Sequence, residues 1–140
     1  MRNKITFFLI YWFPPVVLAG IIFKLSSGSV PKASDIYWQD FAVKKIAHII
    51  IYGILAVLIY RALIAGGTPK KNAVIMAFLL ATFYGAADEF HQYFTQGRES
   101  KLRDVIFDGI GATASIYFVV KVLPRLPKEF TELGKKLKII

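Results

Sequence analysis

Residues 73–94 read AVIMAFLLATFYGAADEFHQYF and carry the strongest structural signal in the chain. The part from Ala73 to Ala87 contains no charged side chain, and as a helix it would rise about 22 Å at about 1.5 Å per residue. A helix needs about 20 largely apolar residues to cross the hydrocarbon core of a bilayer. The stretch therefore predicts a membrane-spanning helix that ends in a run of polar residues, Asp88 to Gln92.

Three further segments have the length and hydropathy of membrane spans: residues 5–23, 46–65 and 105–123. Together with residues 73–94 they predict an all-α integral membrane four-helix bundle, a single domain over residues 1–140 with residues 124–140 as a basic cytoplasmic tail. The composition agrees, because 56% of the 140 residues are hydrophobic and only 19% are charged. This excludes a soluble globular domain and a nucleic-acid-binding domain, even though the net charge is +9. The absence of Cys excludes disulfides and thiolate sites.

The first segment has two interpretations. Basic residues precede it, as in a signal peptide, but its apolar run is longer than the usual length of about 7–15 residues, and no A-x-A-like cleavage site follows. A retained helix is therefore favoured over a cleaved leader. Pro14 and Pro15 predict a kink within this helix, where neighbouring helices have to satisfy the freed carbonyl groups.

Lys and Arg residues flank the four segments unevenly. Eleven of them lie on the side of the two chain termini, and seven lie on the other side. Because cytoplasmic flanks carry the excess of basic residues, this bias predicts a multi-pass protein of the cell membrane with both termini in the cytoplasm. The polar run from Asp88 to Gln92 then faces the outside of the cell.

This orientation can be tested with single cysteines, since the chain has none of its own. In intact cells, an impermeant thiol reagent is expected to label Gly97→Cys and to leave Gly67→Cys unlabelled, because the two loops lie on opposite sides of the membrane. Permeabilised cells provide the control, in which both positions should react. Labelling of Gly67→Cys alone would reverse the predicted orientation.

Ionisable residues near the ends of three predicted spans fall at a similar depth. Four of them are candidates for proton transfer or ligand binding at a catalytic site: His48, Asp88, Glu89 and His91. Such groups cost roughly 2.5–3.5 kcal/mol each at the centre of a membrane helix, so they rarely lack a role. Asp88, His91 and Gln92 are spaced i, i+3 and i+4 and share one helical stripe. Glu89 is rotated by about 100° from Asp88 and faces a different neighbour or the membrane interface.

Three interpretations of this cluster remain open. A divalent metal, the one cofactor that the residues suggest, would take nitrogen and oxygen ligands from His48, Asp88, His91 and Asp108. An acid–base site would pair one of the two His residues with Asp88 or Glu89. A purely structural network would pair the same groups across helices and fix their packing.

A second set of polar residues, near the same helix ends, is predicted to bind a substrate or an anion. Its members are Lys45, Gln92, Arg98, Lys101, Arg103, Asp104 and Asp108. Arg98 has the donors to bind a phosphate or carboxylate bidentately, although a lone interfacial Arg also simply reaches for the lipid headgroups. Membrane lipids are the expected partners, among them an envelope lipid or glycolipid as substrate. Nucleic acid is not expected, and the oligomeric state is left open.

Several motifs resemble the VanZ-like family. They are KIAH at residues 45–48 with the following Tyr52 and Arg61, YGAADEFHQYFTQGRESKLRD at residues 84–104, and DGIG at residues 108–111. Leu25-Ser26-Ser27 resembles the Ser-Ser element that this family places after its first helix. The resemblance implies a small multi-helix membrane protein with family positions at Lys45, His48, Asp88, Glu89, His91, Gln92, Arg98 and Asp104. Many relatives have Asn at the position of Asp108.

The resemblance also implies a function. The family is named for a member that lowers bacterial susceptibility to the glycopeptide teicoplanin, without remodelling the peptidoglycan precursor that such antibiotics bind. Resemblance and cluster together predict a cell-envelope protein that binds or modifies an anionic envelope lipid or glycolipid and so influences glycopeptide susceptibility. The alternative is a non-enzymatic membrane module whose polar cluster only fixes helix packing. The sequence leaves open whether the chain is an enzyme.

Overall fold

The computed structural model describes residues 3–28, 33–96 and 100–139, and within these ranges it contains five helices and no strand. The helices are α1 (Lys4–Ser26), α2 (Tyr37–Ala65), α3 (Lys70–Tyr93), α4 (Leu102–Arg125) and α5 (Lys128–Lys136). The first four are long and apolar enough to cross a membrane. The predicted all-α bundle of four membrane helices is confirmed.

The contacts between helices define two ends of the bundle. At one end, here called the terminal end, Arg61 near the end of α2 donates a hydrogen bond to the carbonyl of Ile10 near the start of α1 (3.1 Å). At the other end, here called the cluster end, Ser26 at the end of α1 contacts Asp88 in the last turns of α3. The long helices therefore alternate in direction, and α5 follows α4 at the terminal end.

The core lies between α2, α3 and α4. Ala73, Ala77 and Ala81 repeat every fourth residue along α3 and are each 0% exposed, so this helix presents a stripe of small side chains to its neighbours. Large side chains of α2, such as Tyr52 and Tyr60, fill the space beside it. The same cluster includes Leu55, Ala56, Ile59 and Leu63 of α2 and Ala112, Ile116 and Val119 of α4.

Glycines bring α4 very close to its neighbours. A Cβ atom at Gly111 would collide with the backbone of Ile49 in α2. A Cβ atom at Gly85 in α3 would collide with the side chain of Asp108 in α4. Small residues permit this close approach of membrane helices. Asp108 is therefore packed directly against the backbone of α3.

Pro14 leaves one carbonyl of α1 free, and a neighbouring helix satisfies it, as the sequence predicts. A π-helical segment, Phe8–Trp12, precedes Pro14 and Pro15, and Pro14 has no N–H group to offer to the carbonyl of Ile10. Arg61 of α2 supplies the missing donor through its Nη1 atom. A neighbouring helix thus satisfies a carbonyl that the proline leaves free, which is the usual way a membrane helix tolerates proline.

The helix bounds differ from the prediction mainly in α2, which begins at Tyr37 rather than near Ile46. Residues 37–45 are too polar for a membrane span, but they contain neither Gly nor Pro. Asp40 also pairs with Lys44 one turn later at 2.7 Å, which favours a helix. The other three spans agree with the prediction to within three residues at each end. The basic tail contains one further helix, α5.

Candidate functional site

Polar side chains from all four membrane helices meet at the cluster end. Six of them are buried, with at most 7% of their surface exposed: Ser26 of α1, Asp88, Glu89 and Gln92 of α3, and Asp104 and Asp108 of α4. Lys45, His48 and Tyr52 of α2 complete the contacts between these helices. Hydrogen bonds divide the residues into two groups with different properties.

The first group, here called the Asp88 network, consists of Ser26, Tyr52, Asp88 and Gln92. The Ser26 hydroxyl lies 2.5 Å from Oδ1 of Asp88, and Oδ2 accepts hydrogen bonds from Gln92 Nε2 at 2.8 Å and from the Tyr52 hydroxyl at 3.3 Å. Both carboxylate oxygens therefore have donors, and the network joins α1, α2 and α3. A buried polar group that is fully hydrogen-bonded in this way stabilises packing without needing a ligand.

The second group, here called the His48 group, consists of Lys45, His48, Glu89, Asp104 and Asp108. Nδ1 of His48 lies 2.8 Å from Oδ1 of Asp108, and Nζ of Lys45 lies 2.5 Å from Oδ1 of Asp104. Glu89 joins them from α3. Its Oε2 accepts the backbone N–H of Lys101 at 2.9 Å, and the Ser100 side chain also hydrogen-bonds to this carboxylate. The group thus links the middle of α2 to the end of α3 and the start of α4.

Three buried carboxylate oxygens of the His48 group accept no hydrogen bond within the described ranges: Oδ1 of Asp104, Oδ2 of Asp108 and Oε1 of Glu89. Oδ1 of Asp104 is paired with the Lys45 ammonium instead, which leaves Oδ2 of Asp108 and Oε1 of Glu89 without a donor. A buried acceptor without a donor costs about 1–3 kcal/mol, and more when it is charged. Oδ2 of Asp108 lies against the backbone at Gly85. Glu89 instead has a carboxylate oxygen within 4.8 Å of ligand atoms of His48 and Asp104. The His48 group therefore has an unused acceptor, which the Asp88 network does not have.

The potential metal ligands that the structure brings together differ from those predicted from the sequence. One ligand atom each from His48, Glu89 and Asp104 lies within 4.8 Å of the other two. The predicted ligand Asp88 is instead engaged by three donors, and Nε2 of His91 lies 3.2 Å from the Ser27 hydroxyl. One nitrogen and two carboxylates suit zinc or manganese. The Lys45 ammonium already places a positive charge at Asp104, so a metal would compete with it.

The predicted anion-binding residues lie in different surroundings. Lys45 and Gln92 are engaged with Asp104 and Asp88, and the Lys45 side chain is only 12% exposed. Arg103 is the opposite case, because 45% of its side chain is exposed and its guanidinium lies 4.9 Å from the centre of the Phe41 ring. Lys101 is half-buried at the start of α4. Arg98 lies outside the described residues, so its predicted role stays a prediction.

Comparison with known proteins adds one finding to this geometry. A family model described as VanZ/LLP1 matches residues 4–123 of the chain. The chain belongs to the VanZ/LLP1 family. No curated protein and no solved structure matches it.

The VanZ/LLP1 match covers the first three membrane helices, all but the last two residues of α4, and both polar groups, and it ends before α5. With four apolar helices in this family domain, the chain is a multi-pass membrane protein. The family match therefore includes the whole region that carries the polar cluster. Within this region, the structure separates a fully hydrogen-bonded network around Asp88 from the His48 group, which has an unused acceptor.

Three residues of this VanZ/LLP1 domain contribute to the cluster although sequence reasoning did not name them as site residues. Ser26 and Tyr52 bind Asp88, and Ser27 pairs with His91. The His91 ring also contacts Phe23, with 4.5 Å between the ring centroids and 32° between the ring planes. The signal for Tyr52 was its position one turn after His48, on the same face of α2. Ser26 and Ser27 stood out as the Ser-Ser element, but their pairing with α3 depends on how α1 packs.

Proposed function

We propose that this VanZ/LLP1 protein acts in the cell envelope, where it binds the headgroup of an anionic lipid or glycolipid at the His48 group and exchanges a proton with it. Through this action it lowers susceptibility to teicoplanin. The observation that carries the proposal is Glu89, which is 4% exposed while its Oε1 lacks a donor in the described part of the chain. A hydroxyl group of a bound headgroup would supply that donor.

His48 is the group that we assign to proton exchange. Its side chain is 22% exposed, so a headgroup can reach it, whereas its partner Asp108 is 1% exposed. A carboxylate bonded to one ring nitrogen orients an imidazole and leaves the other nitrogen to give or accept a proton. Asp108 is thus a positioning residue for His48, and Glu89 binds the group that reacts.

Arg103 is the group that we assign to the negative charge of the headgroup. Its guanidinium lies at the rim of the cluster, close to Asp104 (3.9 Å) and against Phe41, and much of it is open to solvent. A planar guanidinium binds phosphate or carboxylate oxygens with two parallel hydrogen bonds. A basic rim above an interior of hydrogen-bond acceptors suits a headgroup that carries both a phosphate and hydroxyl groups.

The proposal predicts a change in antibiotic susceptibility and a bound lipid. Expression of the full chain in a teicoplanin-susceptible bacterium is expected to raise the minimum inhibitory concentration of teicoplanin but not that of an antibiotic with an intracellular target. Native mass spectrometry of the purified protein is expected to find an anionic lipid that Glu89→Gln loses. Unchanged susceptibility at a verified membrane level, together with no retained lipid, would contradict the proposal.

The Asp88 network supports a second candidate function, a non-enzymatic module in which the cluster only holds the helices together. Each of its bonds joins two helices or two turns of one helix, and both carboxylate oxygens have donors. In that case conservative substitutions in the His48 group would lower stability in parallel with any phenotype. The two candidates therefore differ in whether function is lost while the fold is kept.

A further inference from the structure

The short helix α5 has an apolar face that the rest of the chain leaves open. Phe130, Leu133 and Leu137 stand at i, i+3 and i+7, so they share one side of the helix. They are 53%, 53% and 47% exposed. Phe130 and Leu133 of α5, together with Leu137 directly after its last residue, form an exposed apolar face, which indicates a surface that contacts something apolar.

The remaining surface of α5 and its flanks is strongly basic. Arg125, Lys128, Lys135, Lys136 and Lys138 are all exposed, against two acidic residues, Glu129 and Glu132. A helix with Lys on one face and Phe or Leu on the other is typical of segments that lie in the plane of a membrane surface. The excess of positive charge favours binding to an anionic membrane surface.

The position of α5 places it at the depth of the lipid headgroups. It begins at Lys128, three residues after the membrane-spanning helix α4 ends at Arg125. Arg61 of α2 donates a hydrogen bond to the carbonyl of Leu137 at 2.6 Å, and Gly134 is buried against the bundle. The helix is therefore held at the terminal end and cannot move far from the membrane.

We propose that α5 binds anionic phospholipids at the terminal end of the bundle, with Phe130, Leu133 and Leu137 between the acyl chains and the lysines at the phosphates. The occupant is a lipid surface rather than a second copy of the chain, because the segment carries five exposed basic residues against two acidic ones, a net positive charge that attracts an anionic surface and repels a second copy. The proposal does not depend on the function of the polar cluster, which lies at the opposite end.

A single fluorescent probe can test this in the full-length protein, since the chain has no Cys. Leu133→Cys and Glu132→Cys are labelled with an environment-sensitive dye and reconstituted in phosphatidylcholine vesicles with a small fraction of lipid that is spin-labelled on the acyl chain. The probe at position 133 is expected to be quenched strongly, and the probe at position 132, on the basic face, weakly. Phe130→Cys repeats the first measurement if Leu133→Cys does not fold.

The lipid preference is measured with the same probe. Quenching by spin-labelled phosphatidylglycerol is expected to exceed quenching by spin-labelled phosphatidylcholine by at least about fivefold, since each lysine near an anionic surface contributes about that factor. Lys135→Gln with Lys136→Gln should lower the ratio by about fivefold or more, because it removes two of the five exposed basic residues of this segment. The matched control, Lys70→Gln with Lys71→Gln at the start of α3, should leave it unchanged.

Two results would overturn the proposal. One is equal quenching at positions 132 and 133, or no preference for phosphatidylglycerol in the parent protein. The other is a probe at position 133 that is shielded from both spin-labelled lipids, to an extent that changes with the ratio of protein to lipid. This would mean that a second copy of the chain covers the apolar face.

Discussion

In cells that express the full chain, His48→Gln and Glu89→Gln are each expected to abolish the change in teicoplanin susceptibility while the protein stays in the membrane at its normal level. At position 48, Gln keeps a similar volume and hydrogen-bonding capacity but cannot exchange a proton as imidazole does. At position 89, the amide oxygen of Gln is needed by the backbone N–H of Lys101, so its NH2 group would face the headgroup hydroxyl where the proposal needs an acceptor. Susceptibility is measured together with the membrane level and the thermal unfolding of each purified variant. Asp35→Asn, an exposed carboxylate outside the cluster, is the matched control.

Two variants separate positioning from packing. Asp108→Asn is expected to be milder than Asp108→Ala, because an amide oxygen can still accept the Nδ1–H of His48 and hold the ring. Asp88→Ala should instead lower the stability of the folded protein by about 1–3 kcal/mol, since it would leave the donors of Tyr52 and Gln92 without their acceptor. Full activity of both His48→Gln and Glu89→Gln would rule out the proposed proton exchange and leave the structural module.

Gly111→Ala is expected to reduce the yield and thermal stability of the folded bundle strongly. The new methyl group would overlap the backbone of Ile49, and a backbone segment inside a helix moves only if the whole of α2 moves. Overpacking of this kind typically costs about 1–3 kcal/mol. Since Ala is otherwise about 1 kcal/mol better than Gly in a helix, any loss reports the collision between the helices.

Gly109→Ala is the matched control for this prediction. It lies on the same helix two residues earlier, and a methyl group there would meet its nearest neighbour, the Thr82 hydroxyl, at an ordinary contact distance of 3.8 Å. Thermal unfolding in detergent should therefore place Gly109→Ala close to the parent protein and Gly111→Ala well below it. Equal stability of the two variants would mean that α2 and α4 do not approach each other as closely as described.

Local features of the sequence were enough to predict the fold class and the depth of the cluster. Four apolar segments of sufficient length require four membrane helices, since backbone groups in hydrocarbon must be satisfied within each helix. The polar run after Ala87 and the early position of His48 place ionisable groups near the same end. Spacing also predicts that Asp88 and Gln92 share a stripe, and the structure joins them at 2.8 Å. These are properties of single helices, which is why sequence alone carries them.

The partners of each ionisable group depended on the tertiary structure. Spacing places Asp88 and His91 on one helical stripe, yet they bind different partners. Asp88 accepts hydrogen bonds from Ser26, Tyr52 and Gln92, whereas His91 pairs with Ser27. Glu89, whose direction the sequence left open, faces the His48 group because α4 packs closely beside α3. Which oxygen has a donor depends on how four helices are rotated and how closely glycines let them approach. Those quantities arise from packing between residues far apart in the chain, and no local pattern encodes them.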